Sequence, residues 1–216
     1  MTDRDVLRRL LDRHGTTFAE DAGIRLTDEP APLWQLLVLT LLLSARIRSD
    51  VAVAATRELL DAGWRTPQRM QDSPRRSRVA ALGRAGYRRY DERTATRLGE
   101  LADAVLDRYA GDLRRLRDGA DGTRGVEEEL QGFGGIGPAG AAIFCREVQG
   151  VWPGLAPYVD DLAARGAERL GLPSDADALA GLLDRDDLPR LVAACVRAAR
   201  DAAVADAAAD GDTDEG

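Results

Sequence analysis

Across 216 residues, no stretch alternates apolar and polar residues with the period of two that a half-buried strand needs. Helical spacing recurs instead. Val6, Leu7, Leu10 and Leu11 form one stripe ended by Gly15; Val51, Ala54, Ala55 and Leu59 form a second ended by Gly63; Leu98, Leu101, Ala102 and Val105 form a third followed by Gly111. Near the C-terminus, Leu188-Pro189 opens a helix whose apolar face carries Leu191, Val192, Cys195, Val196 and Ala199. Turn signals at Asp28-Glu29-Pro30, Gly63 to Pro67, Asp118 to Gly125, Gly150 to Pro157 and Leu172-Pro173 separate the helices. The longest apolar run, Leu33 to Ala45, has 13 residues and includes Gln35, Thr40 and Ser44. A membrane span needs roughly 20, so this run is expected as a buried helix. The fold class is all-α.

Charges at the N-terminus, MTDRDVLRRLLDRHG, occupy the place where a signal peptide has its apolar region, so a location in the cytoplasm is expected. Cys145 and Cys195 are the only cysteines, far apart in apolar helical patterns, and packing is the expected role of both. A net charge of −7 argues at first against a nucleic-acid partner. Its distribution changes the argument. The last 16 residues, 201–216, hold six carboxylates (Asp201, Asp206, Asp210, Asp212, Asp214, Glu215) and no basic residue, so the body is nearly neutral. That Ala/Asp tail is expected as a frayed helix end or a disordered segment. Within the body, Ser73 to Arg97 holds eight arginines against Asp91 and Glu92, a local basic segment. All 30 basic residues are arginine.

The segment Gly132 to Phe144, GFGGIGPAGAAIF, contains Gly135-x-Gly137-x-x-Gly140, which matches the dinucleotide-binding fingerprint by spacing. Asp160 even lies 20 residues beyond Gly140, where that motif has its acidic residue. The flanks disagree. Val126 to Gly132 has the Val126/Leu130 spacing and three adjacent glutamates of a short helix, and Gly150 to Tyr158 holds two prolines that a central strand does not accommodate. The alternative is helix, tight glycine hairpin, helix, over about 126–149. Pro138 then takes the first helical position, and the exposed glycine amides before it make an anion site suited to a backbone phosphate.

With those residues in view, the chain resembles the helix-hairpin-helix superfamily of base-excision DNA glycosylases, the endonuclease III-like family. LLLSARIRSD (Leu41 to Asp50) is similar to that family's Leu-Leu-Ser-Ala-Gln…Asp segment, GFGGIGPAGAAI to its Leu-Pro-Gly-Val-Gly-x-Lys-Thr-Ala hairpin, and YVDDLAARGAERLGL (Tyr158 to Leu172) to its Val-Asp-Thr-His segment. A weaker match joins Gly86-Tyr87 and Arg93-Thr94-Ala95 to a Gly-hydrophobic…Lys-Ala turn. The resemblance implies two helical lobes flanking a cleft: residues 33–132 as one, and 1–32 with 133–200 as the other. It implies double-stranded DNA as the partner, with no membrane, a monomeric chain, and a nucleoid-associated location in a bacterium or archaeon. Gly134, Gly135, Ile136, Gly137, Ala139 and Gly140 would hold a backbone phosphate. Arg46 would stand where the family has a gap-filling glutamine, with Arg48 as a neighbouring backbone contact. Asp50 would cap the next helix or line the pocket, and Tyr87 and Tyr90 would touch DNA.

The resemblance places catalysis on Asp160, whose carboxylate would stabilise the positive charge that builds on the sugar as an N-glycosidic bond breaks. The residues alone favour reading Asp160 or Asp161 as a helix N-cap. Departures then narrow the chemistry. The family's Schiff-base lysine is Ala139 here, and the chain has no lysine at all, so lysine-dependent strand cleavage is excluded. The family's iron–sulfur cluster needs four closely spaced cysteines after the Asp helix, and only Cys195 lies there. No cofactor or metal ligand set is expected, apart from a monovalent cation on the hairpin carbonyls that the resemblance implies. The family's histidine is Leu162, and the sole histidine, His14, lies in an N-terminal helix. The expected activity is a monofunctional DNA glycosylase using water. The alternatives are a non-catalytic DNA-binding protein of the same fold and, third, a dinucleotide-dependent enzyme.

Overall fold

The computed structural model describes residues 3–209 and is all-α. The centre is α3 (Pro30–Leu43), entered by Pro30 at its first turn, with every residue from Leu33 to Leu43 buried. A helix apolar on all sides must be covered on all sides. On one flank stand α4 (Ser49–Asp61), α5 (Pro67–Gln71), α6 (Arg75–Arg84) and the long α7 (Asp91–Tyr109). Among these, α3 packs on α4, α4 on α6, and both α5 and α6 on α7.

The short α8 (Arg114–Gly119) leads into α9 (Gly122–Gln131), which starts four residues earlier than its Val126/Leu130 spacing suggests. A tight turn then reverses the chain into α10 (Pro138–Val148), with Pro138 at the first helical position. Helix α10 packs against α9, α3 and α13 (Leu188–Arg200), so it contacts elements on both flanks of the central helix.

The other flank is built from α1 (Asp3–His14), α2 (Phe18–Asp21), α11 (Asp161–Arg169), α12 (Ala176–Ala180) and α13. The expected tail begins as a helix, α14 (Ala202–Ala209), packed on α13 and α1. Asp210, Asp212, Asp214 and Glu215 lie outside the described residues. One continuous hydrophobic cluster runs from Leu7 to Val196 through both flanks. Trp34 and Trp152 are fully inside it, and Trp64 packs on its edge. Among the described residues no helix is long and apolar enough to cross a membrane.

The tightest helix contact is between α11 and α13. A Cβ on Gly166 would lie 1.8 Å from the carbonyl oxygen of Cys195, so the two backbones touch where any side chain would separate them. This contact sets where α11 begins, and hence where Asp160 sits. Gly166→Ala is therefore expected to lower stability by about 2 kcal/mol or more, the range for overpacking against an unyielding backbone. Urea unfolding followed by circular dichroism measures it; a loss of only a few tenths would show that α11 is free to move.

Candidate nucleic-acid interface

The hairpin is fixed from within. Phe133 and Ile136 are buried, and Ile136 N–H donates to the Phe133 carbonyl at 3.1 Å, closing the turn. Ile136 thus anchors the hairpin from inside, its side chain and amide both used by the protein. Gly135 takes φ +97°, a conformation that favours glycine, and a Cβ there would lie 2.9 Å from Leu41 Cδ1 and 3.2 Å from Arg97 Nη1. Gly140 is likewise a packing glycine: its Cβ would meet Ser44 Oγ at 2.5 Å. Ser44 in turn donates to the Thr40 carbonyl at 2.6 Å. The hairpin is therefore docked on the C-terminal end of α3.

Toward solvent, Gly134, Gly137 and Ala139 are exposed. Among the described residues their amides have no hydrogen-bond acceptor. Three unsatisfied donors at the positive end of α10 suit an anion. Arg46 leaves the end of α3 two residues after Ser44 and is exposed, lining a hollow of about 320 Å³ with Tyr90, Arg93 and Arg97. Arg48 is also exposed but is turned onto Asp50, with Nη2 donating to Oδ2 at 2.6 Å. This bond holds the Asp50 carboxyl below its usual range. Asp50 does not cap α4; it lines a cleft elsewhere.

The arginines of the basic segment have unlike surroundings. Arg78 is buried, its Nη1 donating to the carbonyls of Met70 and Ser73 at 2.9 and 3.0 Å, so it braces the α5–α6 turn and is withdrawn from any surface. Arg75 pairs with Glu92, and Arg84 with Glu58. Arg93 and Arg97 stay open and stand beside the hairpin. Tyr87 corrects the sequence expectation: it is 1% exposed, with its hydroxyl accepting from Thr94, and has no surface to offer DNA. Tyr90 keeps a half-buried ring at the hollow.

Asp160 is the N-cap of α11, its Oδ1 accepting from Ala163 N–H at 2.9 Å. Its Oδ2 accepts from Arg146 Nη1 at 2.5 Å, in an ion pair whose side chains are 13% and 3% exposed. Nothing in the sequence marked Arg146, which α10 carries inward. The loop before Asp160 is clamped by Gln149, which donates to the Tyr158 carbonyl at 3.0 Å and accepts from Tyr158 N–H at 2.9 Å.

Asp160 is not among the residues lining the hollows at the hairpin or at Arg46. The pair instead lies behind Phe18, whose ring centroid is 5.9 Å from the Arg146 guanidinium. Phe18 forms one wall of a cleft of about 440 Å³, with Asp50, Val53, Arg57, Arg197 and Arg200 around it. The structure thus joins Arg46 to the hairpin and sets Asp160 behind a second concavity.

Among the described residues no group of three or more His, Cys, Asp or Glu side chains is arranged to hold a metal. Both cysteines are buried and unpaired, and burial pushes their thiols up to about 12. His14 has its pKa lowered, first by burial and then by Arg197.

Among solved structures, the chain is similar to a non-covalent endonuclease III–DNA complex, at 19% identity over 91% of this chain and 85% of that chain, with a TM-score of 0.50. It is also similar to a trapped endonuclease III–DNA covalent intermediate, the estranged-adenine complex, at 19% identity over the same shares, with a TM-score of 0.48. No family model and no curated protein matches the chain. The likeness establishes an endonuclease III-like all-α fold.

Next to Arg146, Glu147 is 3% exposed and its Oε2 accepts from Ala19 N–H at 2.9 Å, at the start of α2. Burial pushes its carboxyl above the usual 4.5, with Arg146 opposing. The folded state then holds this proton more tightly than the unfolded chain. The associated stabilisation is complete below the usual carboxyl range and is lost as pH rises through the folded value. Glu147→Gln keeps an acceptor for the Ala19 amide and never bears the charge. It is expected to melt above wild type at about pH 7, with the difference shrinking toward about pH 4. Thermal unfolding across that range checks it, and an advantage that grows in acid would contradict it.

Proposed function

We propose that the chain is a monofunctional DNA glycosylase that seats duplex DNA on its hairpin and hydrolyses the N-glycosidic bond of a damaged or mismatched base with water. The observation that carries this reading is the set of open amides at Gly134, Gly137 and Ala139 beside Arg46, all held by the end of one buried helix. A backbone phosphate fits those amides. A guanidinium at Arg46 is long and planar enough to enter the gap left when a nucleotide leaves the stack. The similar endonuclease III was solved as a DNA complex, which accords with this partner.

Asp160 supplies the carboxylate that stabilises positive charge on the sugar and orients water. The chain has no lysine, so no lysine Schiff base forms and the strand is not cut by that route. The carbonyls of Gly134 and Ile136 accept no hydrogen bond among the described residues, which suits the oxygen preference of a monovalent cation.

A second reading, DNA binding without base removal, is favoured by the contacts of Asp160 itself. Both of its oxygens are engaged, and a guanidinium 2.5 Å away neutralises the charge that the transition state requires.

Single-turnover release of base from duplexes carrying an oxidised, alkylated, deaminated or mismatched base separates the two. Asp160→Asn is expected to slow release at least about 100-fold with duplex affinity nearly unchanged. Because that variant leaves Arg146 buried without a partner, the neutral double variant Arg146→Gln/Asp160→Asn is measured beside it. Equal release by wild type and both variants would remove Asp160 from the chemistry. Salt-sensitive binding with no release from any duplex would establish the second reading.

A further inference from the structure

Several arginines of the basic segment and around the hairpin have partners. Arg75 pairs with Glu92, Arg84 with Glu58, Arg108 with Glu129, and Arg78 is spent on backbone carbonyls. Arg46, Arg93 and Arg97 differ. Among the described residues none of the three has an ion pair, a hydrogen bond or an aromatic ring to lie on. Yet all three, drawn from the α3–α4 loop and from α7, line the same hollow of about 320 Å³. Arg97 reaches past it. It also lines the two adjoining hollows with Gly134 and Gly135, and its Nη1 lies 3.2 Å from where a Cβ on Gly135 would be.

Three like charges facing one hollow repel one another, and Arg97 is partly withdrawn from water. An anion in the hollow reverses the sign of that interaction. Guanidinium forks match tetrahedral oxyanions two bonds at a time, and three of them approaching from two elements can surround one. The half-buried ring of Tyr90 gives the same hollow an apolar wall, suited to the sugar beside a phosphate. The carboxylates of the adjoining hollow do not fill the role: Glu92 is taken by Arg75, and neither Glu92 nor Glu100 lines this one.

We propose that Arg93 and Arg97, with Tyr90 and flanked by Arg46, form a second phosphate seat, separate from the hairpin amides and from the gap that Arg46 enters, that takes a phosphate of the DNA strand. The proposal rests on the DNA-binding reading given above and extends its footprint from the hairpin onto α7. Its phosphate is either an internal diester or a terminal monoester, and the chemistry of the seat is the same for both.

The test measures the salt dependence of binding to a fluorescein-labelled duplex for wild type, Arg93→Gln/Arg97→Gln, and the control Arg76→Gln/Arg88→Gln. The control removes the same charge from exposed positions of the same basic segment. Losing one phosphate contact should reduce the slope of log affinity against log salt by about 0.9 in the first variant and leave the control at the wild-type slope. Equal slopes in the two variants would reduce the effect to diffuse charge and overturn the seat. A first variant indistinguishable from wild type would overturn it as well. Intact and 5′-phosphorylated nicked duplexes identify the source: a deficit on both assigns an internal diester, and a deficit confined to the nicked duplex assigns a terminal phosphate.

Inorganic phosphate reads the seat without DNA. At matched ionic strength it should raise the melting temperature of wild type and of the control by more than that of Arg93→Gln/Arg97→Gln, which keeps only the hairpin amides. If wild type fails to bind duplex at low salt yet shows this stabilisation, the DNA-binding reading fails and the anion seat stands. If phosphate stabilises no form, the seat fails whatever the duplex does.

Discussion

The burial of α3 is the constraint on which the remaining architecture depends. Eleven consecutive residues, Leu33 to Leu43, are out of water, so helices must stand on every side of it, and each end must lead directly to a surface loop. Its C-terminal end does two things at once. It delivers Arg46 to the surface, and through Leu41 and Ser44 it forms the bed on which Gly135 and Gly140 lie. A loop held by so rigid a support keeps its amides and its guanidinium in a constant relation, which is what a phosphate-binding surface needs before its ligand arrives. The two glycines serve this docking; the exposed Gly134 and Gly137 leave the amides uncovered.

Arginine performs several unlike tasks inside this acidic chain. Arg146 neutralises Asp160 in the interior, Arg78 braces a turn, and Arg197 donates to the carbonyls of His14 and Thr16 while pairing with Asp21 at 2.6 Å. Arg190 reaches the Gly15 carbonyl at 2.9 Å, and Arg169 reaches Ala199 at 2.8 Å. Arg197 and Arg190 tie the chain's first and last thirds together, and Arg169 ties α11 to the end of α13, by bonds from a planar, permanently charged donor to backbone oxygens. With two cysteines in the whole chain, four-thiolate ligation is not available to join those segments, and side-chain to carbonyl bonds supply a tie of their own.

What was legible in the sequence was what local spacing encodes. The helical stripes, the buried run, the hairpin and Pro138 at its helix start all follow from rules that act within a few residues. The hollow at Arg46 was not legible, because Arg93 and Arg97 meet the hairpin only after α7 has folded back across it. Arg78 and Tyr87 looked like surface residues in a basic segment for the same reason: composition counts a charge or a ring without its depth. Arg146 sits among the apolar residues of α10, and its pairing across 14 positions with Asp160 had no local sign. One local signal was available and unread: Thr17-x-x-Glu20 is a capping box, and it starts α2, which carries Phe18 to the cleft wall.

The position of Asp160 bears on what chemistry the fold retains. An aspartate that caps a helix and also faces a guanidinium is held in one rotamer by two bonds, so its geometry is well defined whether or not it reacts. Order is thus no argument for catalysis here. The deciding quantity is the field the carboxylate projects into the cleft beyond Phe18, and Arg146 reduces that field at short range in a poorly screened interior. The hairpin surface has the opposite character: its Arg46, Arg93 and Arg97 lack counter-ions among the described residues, and charge beyond a Debye length of roughly 8–10 Å is largely screened there. Affinity for an anionic partner therefore depends on local arrangement far more than on the net charge of −7. Binding needs only that surface; base removal further requires the Asp160 carboxylate to act on a sugar despite its partner.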